Sequence, residues 1–242
     1  MSLEVQRLVK DFGGIRALDE ISFKTPRGLI TGLIGPNGSG KTTLFNILTG
    51  FLSLDGGQII YKGKRLTGLK PHQVVELGII RTFQITRVFP KLSLLENLLV
   101  PTRNNLMSHL LRSPKTAQKL DKAKRLLETI GLEAYMHEPA AILSFGQSKL
   151  LELILSFMIE ADIILLDEPS AGINPSLQAG INEWIRAENS EGKEFIIIEH
   201  NMEVVMNLCH HVIVLHNGRK LAQGTPKVIQ RNQEVLDAYL GD

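Results

Sequence analysis

Cysteine is almost absent: the one thiol, Cys209, excludes an intramolecular disulfide, and no apolar, cleavable leader precedes the first polar residues. Both observations point to a reducing compartment and away from secretion. Long apolar runs are missing as well. The best, Leu150 to Ile159, is broken by Glu152 and falls short of the roughly 18 residues that cross a bilayer. If the protein serves a membrane, it does so through a partner. An excess of one charge is lacking too: 27 Lys and Arg against 25 Asp and Glu leave a formal charge of +2, which gives no sign of a polyanion-binding surface. Neither a repeat of about 20 to 50 residues nor a low-complexity linker interrupts the chain. What is present is a 242-residue chain with 43% apolar and 21% charged content. That is the makeup of a folded domain with ample length for a core, and not of a disordered, collagenous or coiled-coil chain.

Short β-type runs stand at Leu3 to Val9, Leu29 to Ile34, Gln58 to Tyr61, Ile163 to Leu166, Phe195 to Ile198 and Val212 to Leu215, with helical patterns between several of them. Ile163-Ile164-Leu165-Leu166 and Phe195-Ile196-Ile197-Ile198 are continuously apolar, as strands covered on both faces of a parallel sheet are. The first 30 residues and Gln58 to Leu66 alternate apolar with polar and carry turn residues such as Gly63, which predicts smaller antiparallel strands. Between about Pro90 and Glu160 the pattern turns helical, and Asp121 to Ile130 places Ala123, Leu126, Leu127 and Ile130 on one face. Pro101 to Thr116 has a loop-like composition that also admits a short helix over Leu106 to Leu111. Cys209-His210-His211 holds metal-binding residue types without metal-site spacing.

Gly35-Pro36-Asn37-Gly38-Ser39-Gly40-Lys41-Thr42 fits the phosphate-loop pattern G-x-x-x-x-G-K-[ST], after a predicted strand and before a predicted helix. Glycines let backbone amides converge on phosphate oxygens, the helix directs its positive end at them, Lys41 adds a point charge, and Thr42 can ligate magnesium. Asp167-Glu168 ends the buried run Ile164-Leu165-Leu166, the edge at which open α/β sheets place their ligand crevice. Asp167 can hold magnesium through water, and Glu168 can act as general base on an attacking water. The fold expected is therefore α/β: a phosphate-loop core with a mainly parallel sheet, a small antiparallel β subdomain and a helical subdomain. The core and antiparallel strands take about 1–89 and 161–224, the helical subdomain about 90–160, and a C-terminal helical tail 225–242.

Between the two motifs lies Leu143-Ser144-Phe145-Gly146-Gln147, and with it the chain resembles the ATP-binding subunits of ABC transporters along essentially its whole length. That resemblance implies ATP and Mg2+ as cofactors, and a sandwich of two ATPase subunits in which Ser144, Gly146 and Gln147 act on nucleotide held by the phosphate loop of the other subunit, Thr43 included. It also implies roles for three further residues. Phe12 would stack on adenine, Gln84 in Arg81-Thr82-Phe83-Gln84 would sense magnesium and the attacking water, and His200 in Ile198-Glu199-His200 would be the switch histidine near the γ-phosphate. Phe145, Leu150 and Asn174 stand where many relatives carry Gly, Arg and Asp.

Arg81-Thr82-Phe83-Gln84, Glu199-His200-Asn201-Met202-Glu203-Val204-Val205-Met206 and the tail Ala238-Tyr239-Leu240-Gly241 together resemble the branched-chain amino-acid importer branch; urea, amide and lipopolysaccharide-export ATPases share much of the pattern. The resemblance implies two membrane permease subunits, a second ATPase subunit in a homo- or heterodimer, and an external solute-binding protein acting indirectly. It places the chain peripherally on the cytoplasmic face of the inner membrane, soluble when isolated, without nucleic acid as a partner. A soluble ABC ATPase acting on nucleic acid would carry paired ATPase domains or a long coiled-coil insertion, and neither fits in this chain.

Overall fold

In the computed structural model, which describes residues 3–82, 88–102 and 114–240, the chain opens with β1 (Leu3–Phe12), β2 (Ile15–Lys24), β3 (Ile30–Ile34) and α1 (Lys41–Leu48). There follow β4 (Gly56–Tyr61), β5 (Lys64–Arg65), α2 (Pro71–Glu76) and β6 (Ile79–Arg81). A helical stretch holds α3 (Leu94–Leu99), α4 (Pro114–Thr129) and α5 (Phe145–Met158). The chain returns through β7 (Ile163–Asp167), α6 (Pro175–Ser190), β8 (Glu194–Ile198) and α7 (Met202–Leu208). It ends with β9 (His211–His216), β10 (Arg219–Gly224), α8 (Pro226–Gln230) and α9 (Gln233–Leu240). Among the described residues no helix is long and apolar enough to cross a membrane.

Six strands form one sheet in the order β10-β9-β3-β8-β7-β6, parallel throughout except for the β9–β10 hairpin. The continuously apolar β7 and β8 lie inside it, every residue of both buried, because a parallel strand covered on two faces has no polar side to offer. Parallel pairing also places the candidate site. Ile34, Asp167 and Ile198 end β3, β7 and β8, so the residues that follow each of them issue from the same edge of the sheet.

The second sheet is antiparallel, in the order β2-β1-β4-β5. Its inward residues do not keep a strict two-residue spacing: Val5 and Leu8 are three apart on β1, and Leu18 and Ile21 three apart on β2. All four are buried, and Leu8 pairs with Ile21 across a register shift. Bulges at Arg7 (φ 45°) and Glu20 (φ 52°) absorb the extra residue and return each strand's apolar side to the core. Leu3, Val5, Ile21, Phe23 and Tyr61 there join Leu44, Phe45, Leu165 and Ile196 in one apolar cluster.

The described residues divide into two compact units, 1–81 with 161–170 and 186–242, and 82–160 with 171–185. Residues 171–185, placed with the core in the expected ranges, thus cluster with the helices. Within the second unit α3, α4 and α5 pack on one another, with Ala123, Leu126, Leu127 and Ile130 buried on the predicted face of α4. The helix itself starts earlier than the Asp121 of the periodicity, at Pro114. Asn97 is fully buried there: its Nδ2 donates to the carbonyls of Phe89, Leu92 and Ser93, and its Oδ1 accepts from the Phe89 N–H. The short helix admitted over Leu106 to Leu111 lies outside the described residues.

Candidate active site

The phosphate loop runs from the end of β3 into α1. Gly40, at φ 100°, caps the helix in a left-handed conformation that L side chains avoid. Lys41 opens the helix, and its buried Nζ donates to the carbonyls of Gly35 and Pro36 at 2.7 Å each and approaches Ser39 Oγ at 3.3 Å. Burial pushes the Lys41 ammonium below its ordinary pKa, against the opposing pull of Glu168 and then Asp167. Those two carboxylates therefore face the same cation. Asn37, Gly38 and Thr42 are exposed, Thr43 half-buried, and the open face of loop and helix start is one where backbone N–H groups attract anions. From α9 the Tyr239 phenol reaches the start of this loop. Burial raises it, and the Gly35 N–H partly offsets the rise.

Asp167, the last residue of β7, is buried with its Oδ2 2.6 Å from Arg81 Nη2 on β6. The same guanidinium donates to Asn46 Oδ1 on α1 and stacks 5.5 Å from the Phe45 ring centre. One cation thus ties the magnesium candidate to the helix that carries the phosphate loop. Glu168 follows with φ 49°, its N–H donating to Ile198 O at 3.0 Å. A non-glycine residue in this region is strained, and here the neighbouring strand holds it. Glu168 Oε1 lies 2.9 Å from His200 Nε2, with both side chains about a third to two-fifths exposed. Water can therefore reach the carboxylate that the histidine orients.

The structure brings the loop, Asp167, Glu168 and His200 into the first unit. Phe12 belongs there too, 45% exposed at the end of β1 with Lys10 Nζ 5.4 Å from its ring centre. Ser144, Gly146 and Gln147 belong to the second unit. Ser144 caps α5: its Oγ accepts from the Gln147 N–H at 3.3 Å while Gln147 Oε1 accepts from the Ser144 N–H at 2.9 Å. An accepting hydroxyl keeps its own proton to donate. Asn174 Oδ1 accepts from Leu177 N and Ser176 Oγ ahead of Pro175, so an amide caps α6 as a carboxylate would. Leu150 is buried. Gln84 lies outside the described residues. His210 Nδ1 accepts from the Ile30 N–H, and Cys209 Sγ is buried against Gly32.

Comparison with known proteins decides the family. The ABC transporter family matches residues 18–171. This chain belongs to the ABC transporter family. A family described as branched-chain amino acid ATP-binding cassette transporter matches residues 219–242. The high-affinity branched-chain amino acid transport ATP-binding protein LivG of Salmonella typhimurium is 38% identical over 249 residues, 99% of this chain and 98% of that protein. A protein described as probable LivG in Archaeoglobus fulgidus is 37% identical over 99% of this chain and 95% of its own length. The crystal structure of a nucleotide-free ATP-binding cassette from an ABC transporter superposes with a TM-score of 0.83 at 35% identity, covering 100% of this chain and 99% of that one. An ATP-binding cassette in its ADP conformation gives 0.82 at 33% identity, with the same coverage. As an ABC ATPase the chain binds nucleotide and hydrolyses ATP, with a mixed α/β cassette as its fold.

Two residues that contact the candidate site escaped sequence reasoning. Arg81 was visible only as part of a motif, although a cation closing the apolar pair Ile79-Ile80 is a signal for a buried counter-charge. Glu199 sits between the continuous run of β8 and His200; an acid at the end of a buried strand was the available sign.

Proposed function

We propose that this chain is the ATP-hydrolysing subunit of an ABC importer for branched-chain amino acids. Two ATPase subunits, either two copies or this chain with a second one, sandwich two ATP molecules. They bear on two membrane permease subunits at the cytoplasmic face of the membrane, and an external binding protein delivers the solute. The observation that carries the ATPase half is the 2.9 Å approach of His200 Nε2 to Glu168 Oε1 beside a phosphate loop. The substrate half rests on the likeness to branched-chain amino acid transport proteins along nearly the whole chain and on the match at its C-terminus.

In this reading the loop amides and Lys41 bind the phosphates, and Lys41 exchanges its bonds to loop carbonyls for phosphate oxygens. Glu168 draws a proton from the attacking water, and His200 fixes the carboxylate that does so. Phe12 offers its exposed ring to the base. Ser144, at the start of α5, donates its hydroxyl to nucleotide held by the opposite subunit, with Gly146 and Gln147 beside it. Oxygen donors suit magnesium: the exposed Thr42 hydroxyl and the Asp167 carboxylate would hold it, with Gln84 as a third ligand. Bound there, Mg2+ neutralises phosphate charge and favours the transfer. The helical subdomain, about 90–160, is the part that pushes on the permease.

Affinity isolation of a tagged Glu168→Gln chain with ATP from its native membranes tests this. Loss of the base with retained phosphate binding holds the complex closed, and two amino-acid-type permeases with a second ATPase should come with it. Export machinery, or nucleic-acid-bound proteins without a permease, would overturn the importer reading.

A further inference from the structure

Glu199 is a carboxylate 2% exposed that no step above uses. Its Oε1 accepts from the Ser170 backbone N–H at 3.0 Å. Its Oε2 accepts from the Ser170 hydroxyl at 2.7 Å, from the His200 N–H at 3.2 Å and from the Asn201 N–H at 3.5 Å. A buried charge is costly unless donors satisfy it, and here four donors from two chain segments do so. The segments are not arbitrary. Ser170 lies two residues beyond Glu168, and His200 follows Glu199 directly. On the far side, Asn201 Oδ1 accepts from the N–H groups of Glu203 and Val204 and caps α7, so His200 stands between two fixed turns.

We propose that Glu199 is a positioning residue for hydrolysis. By gripping Ser170 and the His200 backbone at once, it keeps the ends of β7 and β8 in the relative placement that lets Glu168 and His200 meet. The inference rests on the reading that those two residues carry the reaction. An apolar residue at 199 would leave the Ser170 hydroxyl and several N–H groups without their acceptor. A glutamine keeps the volume but turns an NH2 toward donors.

The test compares radiolabelled phosphate release by the full chain with ATP and Mg2+, wild type against Glu199→Gln, Ser170→Ala, His200→Ala and the Glu199→Gln/His200→Ala double variant. Glu199→Gln should lower kcat by roughly 10- to 100-fold, as loss of the outer-shell partners that orient metal ligands does, while KM for ATP stays within about twofold. Ser170→Ala, which loses one hydroxyl, should shift kcat in the same direction by about threefold or more. In the His200→Ala background the added Glu199→Gln should cost less than about twofold, because its effect passes through the histidine. Unchanged kcat, a rise in KM instead, or losses that multiply fully in both backgrounds would overturn the proposal. If Glu199→Gln does not fold, Ser170→Ala with and without His200→Ala decides by the same criteria. Wild-type rates in His200→Ala would sink the underlying site assignment rather than this one.

Discussion

Arg81 and Asp167 form an ion pair at 2.6 Å with side chains only 6% and 1% exposed. A buried pair adds little net stability over an apolar one, but removing a single member strands the other charge. Arg81→Met should therefore lower unfolding stability by about 3 to 5 kcal/mol, and Arg81→Lys by less, since an ammonium keeps the charge and loses the fork that also reaches Asn46. Urea denaturation of the full chain measures both. A loss under about 1 kcal/mol for Arg81→Met would mean that the carboxylate finds its compensation elsewhere.

That pair also marks where the sequence stops being legible. The phosphate loop and Asp167-Glu168 are readable because backbone geometry demands particular residues at fixed local spacings. The strands β7 and β8 are readable because their apolar runs admit no polar face. Arg81 meets Asp167 across 86 positions, and no local period records such a contact. The strand that carries it has three residues, too few to show alternation, and β10 is a polar edge strand with nothing fully buried. Asn97 and Glu199 share a different difficulty. Each is a polar residue satisfied largely by backbone groups, and no sequence spacing records those partners.

Acid should loosen the antiparallel sheet. Hydrogen bonds from Arg219 and Arg16 hold the Asp19 carboxyl below its ordinary value against the effect of burial, and the Asp11 N–H and Lys10 do the same for Asp55. A carboxylate whose pKa is lower folded than unfolded stabilises the fold fully above its unfolded pKa, about 3.9. It loses that contribution as pH falls through the folded value. The loss therefore belongs below about pH 4. Asp19→Asn and Asp55→Asn should flatten the acid limb of a urea-midpoint profile there. A profile as steep as wild type in both variants would remove these carboxylates from the account.

Ser144 caps α5 and, in the proposed reading, also faces a phosphate, and substitution can separate the two. Alanine removes both the cap and the hydroxyl and should cost about 1 kcal/mol of stability. Aspartate caps as well as serine, yet sets a negative charge where the proposed reading puts a phosphate. Ser144→Asp should consequently keep the wild-type urea midpoint and lose ATP hydrolysis. Hydrolysis at the wild-type rate in that variant would show that this residue faces no phosphate during turnover.

Two glycines of the phosphate loop separate backbone strain from collision. Gly38 has φ 76°, and a Cβ built there meets nothing within 4 Å; Gly38→Ala should cost only the left-handed backbone penalty, about 1 to 2 kcal/mol. At Gly35, φ 149°, a Cβ would stand 2.0 Å from Leu215 O on β9 and 2.8 Å from Ser39 Oγ. A backbone carbonyl cannot step aside as a flexible side chain can, so either β9 or the loop must move. Gly35→Ala should then cost clearly more than Gly38→Ala, by about 2 kcal/mol or more. It should also weaken nucleotide binding, because Lys41 takes its position partly from the Gly35 carbonyl. Urea midpoints and fluorescent-nucleotide titrations on the two variants give the comparison. Equal losses in stability and affinity would mean that the close approach of the loop to β9 does not shape the site.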